Sequence, residues 1–143
     1  MSISVRPAES GDKDRCLQLV SALTGRPPEN EWSDVFDRLV SGERGAVVVA
    51  EENGHILGVA TVSYNLAIRY AGEYCQLEEL IVDEAARGKN VGALLMDAVI
   101  ANARTRGCAE IGLYLVERTE GNRRFYEKYG FRTVGSEMRQ ELD

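Results

Sequence analysis

Histidine is nearly absent from this chain. His55 is the single example, and it follows the turn signal Asn53-Gly54, where it opens a strand. A Ser-His-Asp or Cys-His mechanism would have to rest on that one strand-edge residue, so both are set aside. Cysteine is scarce too: Cys16, Cys75 and Cys108 are odd in number, far apart and in no CxxC pair. That pattern suggests neither a disulfide framework nor a zinc knuckle, and reduced core thiols are the expectation, with no metal site. Long apolar runs are missing, none approaching the ~20 residues of a membrane helix. The start, Met1-Ser2-Ile3-Ser4-Val5-Arg6-Pro7, lacks the basic and apolar regions of a secretory signal, so a cytoplasmic protein that begins here is expected. Excess positive charge is missing as well. The 17 Lys and Arg against 23 Asp and Glu leave a formal charge of −6, which disfavours nucleic acid and suits a cationic partner.

What is present is the balance of a globular protein, 44% hydrophobic and 28% charged over 143 residues, enough for one domain spanning residues 1–143. Ile3 to Arg6 reads as a short strand ended by Pro7. Ser10 or Asp12 can cap a helix bearing Cys16, Leu19, Val20 and Leu23 on one face, stopped by Thr24-Gly25-Arg26-Pro27-Pro28. Asn30 can cap a second helix with Trp32, Val35, Phe36 and Leu39 at helical spacing. Ala46 to Ala50 and Ile56 to Tyr64, joined at Asn53-Gly54, read as a hairpin. A strand from about Tyr74 to Val82 leads through Asp83 to Gly88 into a helix with Val91, Leu94, Leu95, Ala98 and Val99 on one face, ended by Gly107. A strand at Ile111 to Val116, a helix at Asn122 to Tyr129 and a last strand from Phe131 complete the chain. This order predicts an α/β (α+β) fold, a central mixed and mostly antiparallel twisted sheet flanked by about four helices, with a parallel crossover around the long third helix.

Crossovers of this kind place ligands at the carboxyl ends of strands, so the junction from Val82 to Gly92 is the informative one. A helix start offers free N–H groups and the positive end of the macrodipole, an anion site suited to a pyrophosphate, with Arg87 and Lys89 beside it. Gly88 and Gly92 also fit a plain tight turn with close helix packing. The nucleotide patterns GxxxxGK[ST] and GxGxxG are absent.

Three stretches together carry a family resemblance: Leu77-Glu78-Glu79-Leu80-Ile81-Val82, Arg87-Gly88-Lys89-Asn90-Val91-Gly92-Ala93-Leu94-Leu95, and Asn122 through Phe131. In them the chain resembles the Gcn5-related N-acetyltransferase (GNAT) superfamily, and more narrowly the small bacterial aminoalkylphosphonate N-acetyltransferases, which acetylate a primary amine. The family loop pattern Arg/Gln-x-x-Gly-x-Gly/Ala is met at Arg87 and Gly92, with Asn90 where glycine is usual; asparagine tolerates left-handed backbone, so the loop is expected to form. The His-rich segment of the phosphonate group has no counterpart in Tyr64-Asn65-Leu66-Ala67-Ile68-Arg69-Tyr70. The resemblance implies acetyl-CoA as cosubstrate, held by Leu80, Ile81, Val82, Arg87, Gly88, Lys89, Asn90, Val91, Gly92, Ala93, Asn122, Phe125 and Tyr126. It implies a small-molecule amine substrate, with peptide amino termini or a non-catalytic CoA-binding module as alternatives, and it leaves a homodimer open.

Chemistry then asks for a base, because an amine of pKa near 10 is only about one part in a thousand unprotonated at pH 7. Strand alternation puts Glu78, Leu80 and Val82 on one face and Glu79 and Ile81 on the other, so one carboxylate is expected to face the cleft. The family pattern puts Glu78 in the base position, through water, with Glu79 as runner-up. A backbone N–H near Ile81 or Val82 can meet the charge growing on the carbonyl oxygen. The motif gives Tyr126, four residues after Asn122, the role of acid toward the departing thiol. Tyr64, Tyr70 and Tyr74 are alternatives. A core aromatic also fits Tyr126, and is the favoured reading of Tyr129. No cysteine is placed for an acyl-enzyme, so direct attack is expected.

Overall fold

The computed structural model describes residues 2–143, which cluster into two compact units, one ending at Leu113 and the other Tyr114–Asp143. The first unit holds β1 (Ser4–Pro7), α1 (Lys13–Thr24), α2 (Asn30–Val40), β2 (Gly45–Glu52), β3 (His55–Ala67), β4 (Gly72–Val82), α3 (Val91–Arg106) and β5 (Ile111–Gly112). Its sheet runs in the order β1-β2-β3-β4-β5. The first four strands pair antiparallel, and β5 joins β4 in parallel after the crossover through α3.

The hairpin forms where Asn53-Gly54 supplies two residues of positive φ, 55° and 80°, the backbone that a tight right-twisting turn requires. One face of β2 and β3 offers Val47, Val49 and Val59, against which Cys16 and Leu19 of α1 and Phe36 of α2 pack. The other face takes α3, whose Val91, Leu95, Met96 and Val99 are fully buried. A β-carbon at Gly58 would lie 3.0 Å from Val91 Cγ1 and 3.1 Å from Ile81 O, so glycine there is what lets α3 approach the sheet. Gly45 is tighter still, its added β-carbon falling 2.2 Å from the Val62 carbonyl oxygen. Gly45→Ala is therefore expected to cost about 1–3 kcal/mol, the usual range for overpacking, read as a lower thermal midpoint. An unchanged midpoint would show that the loop before β2 yields freely.

Several boundaries differ from the sequence reading. Pro7 is the last residue of β1 rather than its stop, which an edge strand permits because its outward N–H needs no partner. Glu29, not Asn30, stands at the start of α2, and the Asp12 carboxylate turns to Arg6 at 2.8 and 3.1 Å and to the Glu9 N–H at 2.7 Å instead of capping α1 with its side chain. β5 is two residues long, not six. No strand forms after Phe131 among the described residues, where Val134, Met138 and Leu142 are exposed; an extended segment without a ladder partner has nothing to fix it as a strand.

In the second unit a 3-10 turn, Glu117–Asn122, leads into α4, Arg123–Glu127. Arg123 ties this unit together, reaching Glu120 at 2.6 Å and Thr133 Oγ1 at 2.7 Å.

Candidate active site

The site begins with a flaw in a strand. β3 and β4 pair in steady register from Gly58↔Val82 to Thr61↔Glu79, and then Val62 faces Leu77. Glu78 is the extra residue, a β-bulge, and a bulge breaks the alternation on which face assignments rest. Thr61 and Ser63, two apart on β3, share one face of the sheet. The Thr61 hydroxyl donates to Glu79 and the Ser63 hydroxyl donates to Glu78 Oε2 at 2.6 Å. Both carboxylates thus lie on the same face, contrary to the expectation that one of them would turn away.

Their surroundings differ. Glu79 lines a cavity of about 300 Å³ together with Thr61, Trp32, Val35, Leu39 and Arg26, at the low end of volumes that hold small ligands. Glu78 is exposed. Burial pushes the Glu79 carboxyl above the usual carboxylate range; the Thr61 hydrogen bond draws it part of the way back, and the charge of Glu78 pushes it up again. Thr61 is 5% exposed, the one buried polar side chain among the described residues. A hydroxyl in that apolar stretch of β3 costs desolvation unless it is used, and Glu79 uses it.

The bulge also opens the far edge of β4. Its ladder to β5 covers only Cys75↔Ile111 and Gln76↔Gly112. From Leu77 to Val82 that side has no strand partner among the described residues, so Leu80, Ile81 and Val82 lie along an unpaired edge. Bulged strands bend and twist away from their neighbours, which accounts for the short β5.

Past this edge, Asp83 anchors the turn into α3. Its Oδ1 accepts the Ala85 N–H at 3.0 Å, its Oδ2 takes Arg15 Nη2 at 2.5 Å, and its N–H reaches Leu57 O at 2.8 Å. Gly88 follows with φ 86°, and Asn90 takes the left-handed conformation, φ 66°, the backbone expected of it. Leu94 N–H is bonded back to Asn90 O at 3.2 Å, so Val91 and Gly92, earlier in the turn, present N–H groups with no acceptor inside the helix. Arg87 is exposed beside them. These groups fit a pyrophosphate, by donor direction, macrodipole and cationic charge together. Lys89 is only partly available, since its Nζ pairs with Glu52 at 3.1 Å, a partner the sequence did not reveal.

In the second unit, Tyr126 is 8% exposed, its ring 5.1 Å from Phe125 and 6.0 Å from Phe131, and burial raises its phenol above the usual value. Phe125 also meets Tyr129 at 5.4 Å. Asn122 is exposed at the start of α4, which spans five residues, shorter than expected. Of the other tyrosines, Tyr64 lies under Arg106 at 4.3 Å, and Tyr70 and Tyr74 stack beneath Arg69 at 4.8 and 5.4 Å, with the Tyr70 hydroxyl bonded to Glu110. Burial pushes Cys16 and Cys75 up to about 12 and raises Cys108, so none of these thiols supplies thiolate at neutral pH.

Comparison with known proteins brings in the family. Residues 14–131 match the profile described as "Acetyltransferase (GNAT) family". Glucosamine 6-phosphate N-acetyltransferase 1 of Oryza sativa subsp. japonica is 31% identical over 134 residues, 89% of this chain and 79% of that protein. The glucosamine 6-phosphate N-acetyltransferase of Trypanosoma brucei brucei is 27% identical over 146 residues, covering 99% and 97%. These relatives carry a sugar-phosphate name rather than the aminoalkylphosphonate name expected from the sequence. Among solved structures, one titled as a transcriptional regulator from Bacillus halodurans C-125 superposes with a TM-score of 0.87 at 22% identity over 99% of this chain and 100% of that one, a likeness of fold alone.

Proposed function

This chain belongs to the acetyltransferase (GNAT) family and is an N-acetyltransferase of the kind that draws on acetyl-CoA, and from that premise we propose that it acetylates the primary amine of a small phosphorylated amino sugar. Glucosamine 6-phosphate is the compound in the names of its relatives. The observation that carries the reading is the bulge at Glu78, which turns two carboxylates to one face and gives one of them a cavity of about 300 Å³. An ammonium group is drawn to that negative charge and has to lose a proton there before it can attack.

Acetyl-CoA, where bound, supplies a thioester-activated acetyl group. The N–H groups at the start of α3 and the Arg87 guanidinium hold its pyrophosphate, with Gly88, Asn90, Gly92 and Ala93 shaping the loop and Lys89 adding charge that Glu52 partly offsets. The open edge of β4 from Leu80 to Val82 offers backbone groups to the pantetheine arm and an N–H to the acetyl oxygen. Glu79 takes the ammonium proton, in the role the family pattern gave to Glu78, because Glu79 is the carboxylate that lines the cavity and burial raises its carboxyl above the usual carboxylate range. Glu78, exposed on the same face, accepts the Ser63 hydroxyl at 2.6 Å. The family resemblance gives Tyr126 the role of returning a proton to the departing sulfur; within its own unit Phe125 is its neighbour in α4 and Asn122 closes the turn before that helix.

A thiol-release assay with acetyl-CoA across glucosamine 6-phosphate, glucosamine, aminoalkylphosphonates, polyamines and peptides tests the substrate reading. Glucosamine 6-phosphate is expected to have the highest kcat/KM; a peptide or polyamine ahead of it by tenfold would overturn the choice. For the cofactor loop, calorimetry is expected to show CoA binding at least about tenfold more tightly than pantetheine, which lacks the phosphates, in line with the loss of charge-assisted hydrogen bonds. Equal affinities would remove the phosphate role of residues 87–93.

A further inference from the structure

A second, smaller cavity of about 160 Å³ lies against the first, sharing Val35 and Leu39 with it. Its polar lining is unlike that of the carboxylate cavity: Arg38, Arg44, Ser63, Tyr64 and Asn65. Arg38 and Arg44 are exposed, and the cavity they line contains no carboxylate. In a chain of charge −6, two arginines around one cavity without an acid is an arrangement that an anion completes.

The surrounding structure is built to hold these groups in place. Arg106 donates to Gly42 O at 2.9 Å and Glu43 O at 2.7 Å, fixing the loop that presents Arg44. The same guanidinium is held by Glu73 at 2.7 Å and covers the Tyr64 ring at 4.3 Å, and Tyr64 N–H is bonded to Arg44 O at 2.9 Å. Asn65 Nδ2 donates to Ser63 Oγ at 3.0 Å, and Ser63 Oγ donates to Glu78 Oε2 at 2.6 Å. Two residues that line the arginine cavity, Asn65 and Ser63, are thus hydrogen-bonded in series to Glu78. Gly45 follows Arg44, and the backbone there lies so close to Val62 that no β-carbon fits, which seats the loop directly on β3.

We propose that Arg38 and Arg44 form an anion seat that receives the tetrahedral oxyanion of the amine substrate while its amine lies at Glu79. This rests on the substrate reading above and adds the residues that select for it. The class selected is a small amine bearing a phosphate monoester or phosphonate a few bonds from the nitrogen. Planar guanidinium groups pair with two oxygens at once, so the seat reads shape as well as charge.

The test compares glucosamine 6-phosphate with glucosamine, and an aminoalkylphosphonate with the matching alkylamine, in Arg38→Ala, Arg44→Ala, the double variant and the two Lys variants. Loss of a charged hydrogen-bonding partner is expected to lower the kcat/KM ratio of phosphorylated to plain substrate by about 10- to 100-fold per arginine, mainly through KM, with partial recovery by lysine. The two substrate pairs separate phosphate monoester from phosphonate as the preferred oxyanion. A ratio that survives in the double variant overturns the seat, as does a ratio lost in Arg26→Ala instead, which would place the anion at the other cavity. Inorganic phosphate added to CoA-saturated protein supplies a readout independent of turnover, a rise in thermal midpoint that the double variant abolishes. If that rise is present while no phosphorylated amine is acetylated, the seat stands and the substrate reading fails; if glucosamine 6-phosphate and glucosamine react equally well, the amine chemistry stands and the seat fails.

Discussion

Glu79→Gln is expected to lower turnover at pH 7 by about 10²- to 10⁴-fold, the range for loss of a general base. Glutamine keeps the shape and a hydrogen-bond acceptor for the Thr61 hydroxyl, so folding and CoA binding should persist. The loss should shrink as pH approaches the pKa of the amine, where the free base no longer has to be made by the protein. In the unaltered protein the carboxyl must be ionised to act, so activity should fall as pH drops through its pKa. Since burial raises that pKa, the fall belongs above the ordinary carboxylate range. Thr61→Val removes a hydrogen bond that favours the ionised form and should move the acid limb to still higher pH, while Thr61→Ser should leave it in place. Glu78→Gln removes a like charge and should move the limb to lower pH. A large, pH-dependent loss in Glu78→Gln with near-normal Glu79→Gln would return the base to Glu78; a pH-independent loss in Glu79→Gln would make it a positioning group.

Tyr126→Phe should produce a comparable defect by a different route. The change deletes one hydroxyl and keeps the ring against Phe125 and Phe131, so the thermal midpoint and CoA affinity should move little. Turnover should fall about 10²- to 10⁴-fold if the phenol protonates the departing thiolate. An acyl donor with a more acidic thiol should recover part of that loss. Because burial holds the phenol above its usual value, the unaltered protein should lose activity only at strongly alkaline pH, a limb the Phe variant would lack. Full activity in Tyr126→Phe would make it a packing residue and send the search for the acid to Tyr64, Tyr70, Tyr74 or water.

Much of the frame was legible because local rules and tertiary packing agree. Asn53-Gly54 sets the hairpin, Gly25 and Gly107 end α1 and α3 in left-handed conformation, and the apolar stripe at Val91, Leu95 and Val99 is the face that α3 buries. Asn90 could be read in advance too, since few non-glycine residues accept φ near 66°. What local reading missed were pairings at a distance. Lys89 looks free in the sequence and is held by Glu52, 37 residues away. The arginine cavity joins Arg38 of α2 to Ser63 and Asn65 of β3, and no motif spacing announces it. Phe131 onward has strand-like residues but finds no ladder.

The sequence by itself determined that the chain is a mixed α/β fold with a left-handed turn into its long third helix, because periodicity, turn residues and left-handed positions act within a few residues. Only the tertiary structure decided which carboxylate meets the cavity. Alternation counts residues along one strand, whereas a bulge is a property of two: the register of β4 against β3 slips between Thr61 and Val62, and that slip turns Glu78 to the face of Glu79. Burial then separates the pair, since desolvation depends on what packs above a side chain and not on its place in the chain.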